Sequence, residues 1–404
     1  MNILDDPKLQ HMFIYKKLSQ GTINNYKVVF KEVYEATGYT PEELLQRVRK
    51  EQRNPYKQVE GEKVYIEKED RFITRIILQY MRFEEDKQIQ NTTLFNKQRI
   101  LRAFFAYYDI DLPKSIPLII QHKRIRKKDL PNLSDIQKAV ESSKNWRDKS
   151  LIKLLSDSGL RTSDAIKLTI NDFKKSVKPY MKKMKFEEFI YTDPSGIIPC
   201  FDIIPEKTKK KGNIQITFAT PEFVYYVFEH LKERHQRGLP LTDDEPLLMS
   251  YRTHTFIRKG AVPNLFSVIN DTIFQGSMVN DRRFFRAHNL RKFFRTTLKN
   301  NMKLIDKQGY NDMNVADIVR VMCGHIPDSN IEEAYDAVDP DIMYEYYLQV
   351  MPKLLFKDIP VEHIKSPKFL ELEQERDKAI QEKDEIKENF EENIMKILEK
   401  NGLI

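Results

Sequence analysis

The residues that could carry out chemistry are two arginines, two histidines, a lysine and a tyrosine in the second half of the chain. Guanidiniums can bind the oxygens of a phosphate through paired hydrogen bonds, and imidazoles or amines can move protons. A tyrosine hydroxyl can take a phosphoryl group as the nucleophile. This set makes little sense as metal ligands, so the pattern predicts phosphoryl transfer to tyrosine. The residues are Arg161, Lys207, His288, Arg291, His325 and, ten residues later, Tyr335.

The first motif is SDSGLRTSDAIKL, at residues 156–168. An apolar helix before it is predicted to end at Gly159, and one of the two hydroxyl residues after Arg161 can cap the next helix. Arg161 would then lie at a helix junction, where a fixed guanidinium can bind two phosphate oxygens. Alternatively, Arg161 is a structural salt-bridge partner of Asp164.

The second motif is RAHNLRKFFRTTL, at residues 286–298. Apolar side chains form one stripe of a predicted helix, while His288, Arg291 and Arg295 share another face at spacings of three and four. This arrangement places a titratable imidazole beside a permanent positive charge. A solvated basic helix face is the alternative.

The third motif is VMCGHIPDSNIEEAYDAV, at residues 321–338. Gly324 is predicted to end a helix, so that His325 emerges at the turn. A capping box at residues 329–333 then starts a short helix on which Tyr335 points inward. An ordinary core tyrosine is the alternative.

The first of two predicted units is helical and covers residues 20–115, after an extension of residues 1–19. Thr22 can cap a helix that ends at Gly38, and a capping box at Thr40 begins the next helix. Further helices are predicted at residues 69–83 and 92–109.

Basic residues on the last of these helices and in the linker that follows, residues 116–128, could contact phosphates and release counterions. The linker lies between prolines and has five Lys or Arg within residues 122–128. A solvated helix face, a nuclear-localisation patch or simple solubility are the alternatives. The residues concerned are Lys97, Arg99 and Arg102 on the helix, and Lys123, Arg124, Arg126, Lys127 and Lys128 in the linker.

The second unit, residues 129–363, is predicted to be mainly helical with one small antiparallel hairpin between about 187 and 220. Lys207 is predicted at the end of the first hairpin strand, and together with Lys209, Lys210 and Lys211 it crowds the hairpin turn. Residues 364–404 form a separate helical tail. Apolar residues there fit heptad positions, but Arg376, Lys383 and Asn393 interrupt them. A short oligomerising coiled coil and a solvated amphipathic tail both remain possible interpretations.

The overall charge indicates a polyanionic partner without identifying it. The 404 residues carry a formal net charge of +8. Residues 364–400 hold eight Lys or Arg against eleven Asp or Glu, so the basic character belongs to the rest of the chain. An apolar fraction of 40% with 11% aromatic residues is enough for hydrophobic cores and argues against wholesale disorder.

The cysteine content and the hydropathy exclude several classes of protein. Cys200 and Cys323 cannot form a disulfide framework and lack the spacing of a zinc site, which favours a reducing, cytoplasmic setting. The N-terminal residues include early acids and no apolar run of signal-peptide length. Nowhere is there a stretch of about 18 uncharged apolar residues, so we expect neither secretion nor membrane insertion.

Taken together and in this order, the motifs resemble the tyrosine recombinase (phage integrase) family. The elements of the resemblance are Arg-x-x-Asp, a lysine in a hairpin, His-x-Leu-Arg, Gly-His and the tyrosine ten residues later. It covers residues 130–356, and residues 20–115 resemble the family's helical core-binding (SAM-like) domain less specifically. The segment DPDIMYEYYLQVMPKL after the tyrosine is most similar to archaeal integrases. Cys323 stands where the family commonly has leucine.

The resemblance implies a role for each position. Tyr335 would attack the scissile phosphate and leave a 3′-phosphotyrosyl link and a free 5′-hydroxyl. The two arginines would hold the non-bridging oxygens, the two histidines would assist, and Lys207 would protonate the departing 5′-oxygen. Asp164 would orient Arg161. The further candidate DNA contacts are Lys209, Lys210, Lys211 and Arg295, in addition to the basic helix and linker residues above.

The resemblance also implies a fold and partners. The fold would be mainly α with a small antiparallel sheet, in which two domains form a C-shaped clamp on double-stranded DNA. Four subunits would act together on two DNA sites, with the helix at 340–356 or the tail docking on neighbours. The enzyme would integrate and excise a mobile element in the cytoplasm, associated with the nucleoid, without metal, cofactor, small-molecule substrate or membrane. A type IB topoisomerase-like relaxase and a non-catalytic DNA-binding relative are the alternatives.

Overall fold

The computed structural model describes residues 5–120, 126–212, 214–303, 315–325, 340–357 and 367–400. The chain divides into two compact units, Met1–Lys123 and Arg124–Ile404, whose boundary falls within the segment predicted as a basic linker. The described residues are mainly helical with small antiparallel sheets, which confirms the predicted fold class. No helix in these ranges combines the length and the apolar character needed to cross a membrane.

The first unit is built from helices around one apolar core, with a hairpin between the third and fourth helices. Its core contains Val33, Leu44, Ile77, Leu101 and Phe104, all essentially buried. The elements are α1 (Pro7–Tyr15), α2 (Gln20–Thr37), α3 (Pro41–Arg53), β1 (Tyr56–Val59), β2 (Glu62–Tyr65), α4 (Phe72–Asp86) and α5 (Asn91–Tyr107).

Local signals at helix ends were mostly predictive in this unit. Gly38 ends α2 in the left-handed conformation at φ 74°, and the capping box of Thr40 and Glu43 starts α3, as predicted. Thr22 does not cap α2, because Ser19 three residues earlier accepts from the Thr22 amide instead. The helix therefore begins one turn earlier than the sequence suggested.

Two features of the first unit were not predicted. Helix α1 falls in the presumed extension, yet Leu9, Met12 and Phe13 are buried in the unit's core. Asp6 caps this helix and also accepts from the Glu42 amide at 3.1 Å, so α1 is tied to α3. The β1–β2 hairpin is exposed along both strands, and its short, polar segments gave no clear alternation.

The second unit surrounds α7, which is buried along most of its length and packs against α6, α12 and α14. Around it lie α6 (Leu133–Ser142), α7 (Trp146–Ser158), α8 (Thr162–Ala165), α9 (Ile170–Ser176), α10 (Lys178–Met181), α11 (Phe186–Phe189), β3 (Cys200–Ile203), β4 (Gln215–Phe218), α12 (Pro221–Gln236), α13 (Ala261–Ile273), β5 (Met278–Val279), β6 (Arg282–Arg283), α14 (Ala287–Asn301), α15 (Val315–Met322), α16 (Pro340–Val350) and α17 (Pro367–Lys400).

The predicted hairpin is present as the antiparallel pair β3–β4, in which Cys200 lies opposite Phe218 and Ile203 opposite Gln215. Strand β4 is buried along its length and packs against α15 and α16. Its Gln215 side chain donates to the Met322 carbonyl at 2.8 Å. The hairpin, together with α14, therefore joins α15 and α16 to the rest of the unit.

Helix α16 packs into its own unit. Met343, Tyr344, Tyr346 and Tyr347 are buried there, and the Tyr347 hydroxyl donates to the Asp157 carbonyl. If this helix docks on a neighbouring subunit, it must first leave this core. Helix α17, by contrast, contacts α10, and several of its apolar side chains are exposed: Leu372, Ile380, Ile386, Phe390 and Met395.

A fully buried lysine fixes the segment that follows α16. Lys153 Nζ lies 3.1 Å from Asp157 Oδ1 and 2.8 Å from Glu222 Oε2, and it donates to the Leu354 carbonyl at 2.6 Å. The Glu222 carboxylate also accepts from the Phe356 amide at 2.9 Å. The ammonium group of Lys153 thus contacts two carboxylates and a carbonyl group, which come from three parts of the chain.

We predict that Lys153→Met lowers the free energy of unfolding of the second unit by about 3–5 kcal/mol, because two buried carboxylates lose their cation. Urea unfolding of the full chain measures this change. Lys167→Met is the matched control: its pair with Glu206 is 2.6 Å long but more than half exposed on both sides, so it should cost less than about 1 kcal/mol. Equal losses for the two variants would contradict the prediction.

Candidate active site

Two arginines meet at the carboxyl ends of two helices. Arg291 of α14 is buried, and its two terminal nitrogens donate to the carbonyls of Gly159 and Cys323. Arg161 Nη2 donates to the Gly324 carbonyl at 2.7 Å. These carbonyls follow α7 and α15, where the last carbonyls of a helix have no partner within it and attract positive charge. The helix ends therefore fix the position of both guanidiniums.

The backbone at these ends requires glycine. Gly159 and Gly324 adopt φ of 58° and 55°, a region that residues with a side chain rarely enter. A Cβ at Gly159 would overlap the Phe294 ring, and one at Gly324 would overlap the Gln215 side chain. Both glycines were predicted as helix ends, and both helices end there. The hydroxyl cap predicted for α8 is absent: Arg161 itself occupies the cap position.

The positive charge of this pair is only weakly compensated. Asp164 Oδ2 lies 3.9 Å from Arg161 Nη1, beyond hydrogen-bond distance, and that buried nitrogen has no hydrogen-bond partner. Burial lowers the pKa of Arg291 to about 10, and Arg161 contributes to the shift. Because carbonyls satisfy hydrogen bonds without cancelling charge, the pair favours an anion between or beside the two guanidiniums.

Both candidate histidines lie beside these arginines. Burial and then Arg291, Arg295 and Arg161 lower the pKa of His325 to about 4. Burial also lowers the pKa of His288, and the positive charges of Lys292, Arg286 and Arg291 lower it further. The structure thus brings four predicted site residues together, and at neutral pH both imidazoles are largely uncharged.

Asp164 connects the arginines to the segment that carries Lys207. Its Oδ1 accepts from the Glu206 amide at 3.2 Å, and burial raises its pKa despite that bond and the nearby arginines. Lys207 was predicted at the end of the first hairpin strand, which is wrong: β3 ends at Ile203. The lysine lies instead on a short 3-10 helix, Glu206–Lys211, and its side chain is exposed.

The predicted nucleophile, Tyr335, lies outside the described residues. The three tyrosines that follow it in sequence are described and lie in the core of the second unit: Tyr344, Tyr346 and Tyr347. Burial raises the pKa of Tyr344, with Tyr180 adding to the effect, and raises that of Tyr347 well above its ordinary value. The hydroxyls of Tyr344 and Tyr347 are therefore poorly suited to attack at neutral pH.

The three candidate DNA-contacting residues of the first unit lie in different environments. Lys97 does not belong to a solvated basic face: its Nζ pairs with Glu32 at 2.8 Å and with Glu84, so its charge is already compensated. Arg99 is exposed and lies over the Phe95 ring. Arg102 is partly buried, with an unpartnered Nη1. A helical spacing alone cannot separate these three environments.

The linker and hairpin candidates are described only in part. Lys123 and Arg124 lie outside the described residues, as do the side chains of Lys210 and Lys211. Arg126 begins a short 3-10 turn, Lys127–Asp129, in which Asp129 accepts from its amide. Lys127, Lys128, Lys209 and Arg295 are exposed.

Sequence reasoning overlooked further cations beside His288. Arg286 at the start of α14 is partly buried, and burial and then Arg282 lower its pKa. Lys292 is affected in the same way by burial and by both arginines. Lys259 and Arg283 lie in the same region. The dense basic run RRFFRAHNLRKFFR was the available signal, because only part of it was assigned to the site.

No protein-family model matches the sequence, and a search of curated proteins found no match. Similar solved structures include the Tn1549 transposon integrase in complex with circular intermediate DNA, at 13% identity and a TM-score of 0.47, covering 86% of this chain and 95% of that chain. The XerH site-specific recombinase bound to difH substrate has 18% identity and a TM-score of 0.44, covering 78% and 79%. A lambda integrase dimer bound to a core site has 12% and 0.39, covering 82% and 93%.

We predict that Gly159→Ala destabilises the second unit and displaces Arg291. The methyl group would combine left-handed strain, about 1–2 kcal/mol, with overlap of the Phe294 ring. Gly238→Ala is the matched control, since Gly238 has φ 68° with nothing near its missing Cβ and should show the strain alone. Chemical unfolding measures both variants. A Gly159→Ala loss no larger than that of the control would show that the packing against Phe294 is not tight.

Proposed function

We propose that the chain is a site-specific tyrosine recombinase that cleaves and rejoins duplex DNA, integrating and excising a mobile element. The observation that carries the proposal is the pair Arg161 and Arg291, held by backbone carbonyls with little compensating negative charge. Such a pair matches the non-bridging oxygens of a phosphodiester. The adjoining cations strengthen the same preference for an anion. The neighbouring histidines can form hydrogen bonds with it.

The proposed reaction begins when the Tyr335 oxygen attacks the scissile phosphorus. A bond forms between that oxygen and phosphorus, and the bond from phosphorus to the 5′-oxygen breaks. An uncharged histidine of the site takes the tyrosine proton, and Lys207 supplies one to the departing 5′-oxygen. The arginines and histidines stabilise the charge that builds on the phosphoryl oxygens, where one preorganised donor is typically worth about 10²–10³ in rate.

The 3′-phosphotyrosyl bond retains the energy of the phosphodiester, so a free 5′-hydroxyl can reverse the reaction without ATP. Attack by the original strand restores the substrate, whereas attack by a strand from a second duplex produces a recombinant. Four subunits on two DNA sites would be needed for a complete exchange. In that assembly, the exposed apolar side chains of α17 are available for contacts between subunits.

We predict that Tyr335→Phe leaves binding to duplex DNA unchanged within about twofold but abolishes covalent protein–DNA adducts, because the variant keeps the phosphate-binding cations and loses only the nucleophilic oxygen. Adducts are counted on a nicked suicide substrate by denaturing electrophoresis. Tyr346→Phe, a matched change in the buried α16, should still form adducts.

Mass spectrometry of the trapped peptide identifies the attacking residue. An adduct that persists in Tyr335→Phe and maps to Tyr344, Tyr346 or Tyr347 would show that the nucleophile is wrong. Wild-type protein that forms the Tyr335 adduct but only relaxes supercoils, with no exchange between two duplexes carrying the trapped site, would favour a topoisomerase-like activity instead.

We also predict that DNA binding strengthens as pH falls. The pKa of His325 is about 4 in the free protein, and a bound phosphate would raise it by favouring the charged imidazole. Binding then takes up a proton, so affinity rises as pH decreases from the bound-state pKa toward 4. Affinity for a short duplex, measured at constant ionic strength from neutral pH downward, should show this slope. His325→Gln should flatten it.

His235→Gln is the control, because His235 lies on α12 beside Tyr191 and not among the site cations. It should retain the slope of the wild-type protein. If His325→Gln retains the slope as well, the proton is taken up elsewhere and His325 does not face the phosphate.

A further inference from the structure

A cleft opens directly beside the candidate phosphate site. Its volume is about 430 Å³, within the range of about 300–1,000 Å³ typical of small-molecule sites. Thr162, which follows Arg161, and His288 both line it. A phosphate held by Arg161 and Arg291 would therefore have its neighbouring nucleotide at the mouth of this cleft.

The floor of the cleft is apolar and firmly held. Val262 and Phe266 from α13 and Phe285 from the segment before α14 line it, and all three are buried. The Phe285 ring stacks on Phe266 with centroids 5.6 Å apart. Its amide donates to the Asn270 side chain at 2.8 Å. The floor is thus part of the folded core and does not depend on a ligand for its shape.

The rim of the cleft is cationic. Lys259, Arg283 and Arg286 line it, and the lining contains no carboxylate. Arg283 pairs with Asp271 at 3.2 Å, but both side chains are about half exposed, so this pair compensates little of the charge. The remaining polar side chains of the lining are the hydroxyls of Thr162 and Ser267 and the imidazole of His288.

We propose that this cleft receives one unpaired nucleobase of the DNA strand being cleaved, next to the scissile phosphate. The inference rests on the proposed function, because it takes the arginine pair as the phosphate site. The base would lie against the apolar lining, to which the exposed Pro263 and the half-buried Ala287 also belong, and its flanking phosphate would contact the cationic rim.

The chemistry of the cleft favours this ligand over others. A bare phosphate would gain nothing from the apolar floor, and a cationic ligand would meet only positive charge. A base within a stacked duplex would not enter the cleft, since enzymes that place a base in a pocket first remove it from the stack. Two hydroxyls and one imidazole give few means of distinguishing bases, so we expect weak sequence preference.

An unpaired base also fits the requirement of strand exchange. After cleavage, the strand with the free 5′-hydroxyl must leave its complement before it can join another duplex. A site that holds one displaced base lowers the cost of opening the first pair, which is a few kcal/mol. The cleft would therefore contribute to exchange more than to initial binding.

The test uses full-length wild-type protein on nicked suicide duplexes. Each duplex carries 2-aminopurine, a fluorescent base that is quenched by stacking, at one nucleotide flanking the cleaved phosphate. We expect fluorescence to rise severalfold at one position when the covalent adduct forms. Adduct formation without a rise at any position would overturn the inference and leave the proposed function standing. Absence of any wild-type adduct would overturn both.

Two variants on α13 identify the cleft as the place of the base. Ser267→Leu fills the cleft from its half-buried wall, and Val268→Leu changes the next residue, which is 59% exposed and does not line it. We expect Ser267→Leu to lose the fluorescence rise and to slow strand exchange about tenfold, the effect of losing one base contact of ~1.4 kcal/mol. Val268→Leu should behave as wild type.

A substrate that lacks the base at this position distinguishes a blocked cleft from a misfolded protein. When the base at the responsive position is absent, Ser267→Leu should form adducts and exchange strands at the wild-type rate, because nothing remains to enter the cleft. A defect of the same size on the abasic and normal substrates, or a normal fluorescence rise in Ser267→Leu, would overturn the inference.

Discussion

The hydrogen bonds from Arg161 and Arg291 to helix-end carbonyls are the interaction on which the candidate site depends. The carbonyls of Gly159, Cys323 and Gly324 fix the guanidiniums in position and leave their charge largely intact. A carboxylate in the same place would hold them equally well but would occupy the position of an anionic substrate. Backbone acceptors therefore hold the arginines without blocking the position of the anion, which the carboxylate of an ordinary salt bridge would block.

This arrangement places strong demands on the surrounding fold. Burying like charges close together is unfavourable unless hydrogen bonds and an opposing charge compensate. Asp164 supplies only part of that compensation from 3.9 Å, and it also binds the amide of Glu206. Neutral histidines reduce the repulsion in the free protein. A bound phosphate would supply the missing negative charge. Substrate binding and the local stability of the site therefore depend on the same compensation of charge.

Much of this could be predicted from sequence where the signal is local. Gly38, Gly159 and Gly324 each end a helix in the left-handed conformation, and the capping box at Thr40 starts one, because these preferences reside in a few adjacent residues. The order of the site motifs likewise identified four side chains that the structure brings together. Such local rules depend little on what packs against them.

Two of the remaining errors have tertiary causes. The environment of Lys97 depends on Glu32 and Glu84, which come from two other helices. The burial of α1 depends on a core assembled from the whole first unit. No short window of sequence contains the partners that decide these two outcomes. The error at Lys207 is local: the residue was placed by its distance from a strand, but the backbone turns into a 3-10 helix before reaching it.

The site and the buried tyrosine helix share one hydrophobic core, and this links chemistry to stability. Phe294, one helical turn from Arg291, packs with Met322 and Tyr344 in the same cluster. Lys153 then anchors the segment after α16 to α7, the helix that ends at Gly159. A disturbance of this core would move the carbonyls that hold the arginines, even if no site residue changed. The geometry of the proposed phosphate site is consequently a property of the whole second unit, and the residues proposed to touch DNA keep their positions only while that unit stays packed.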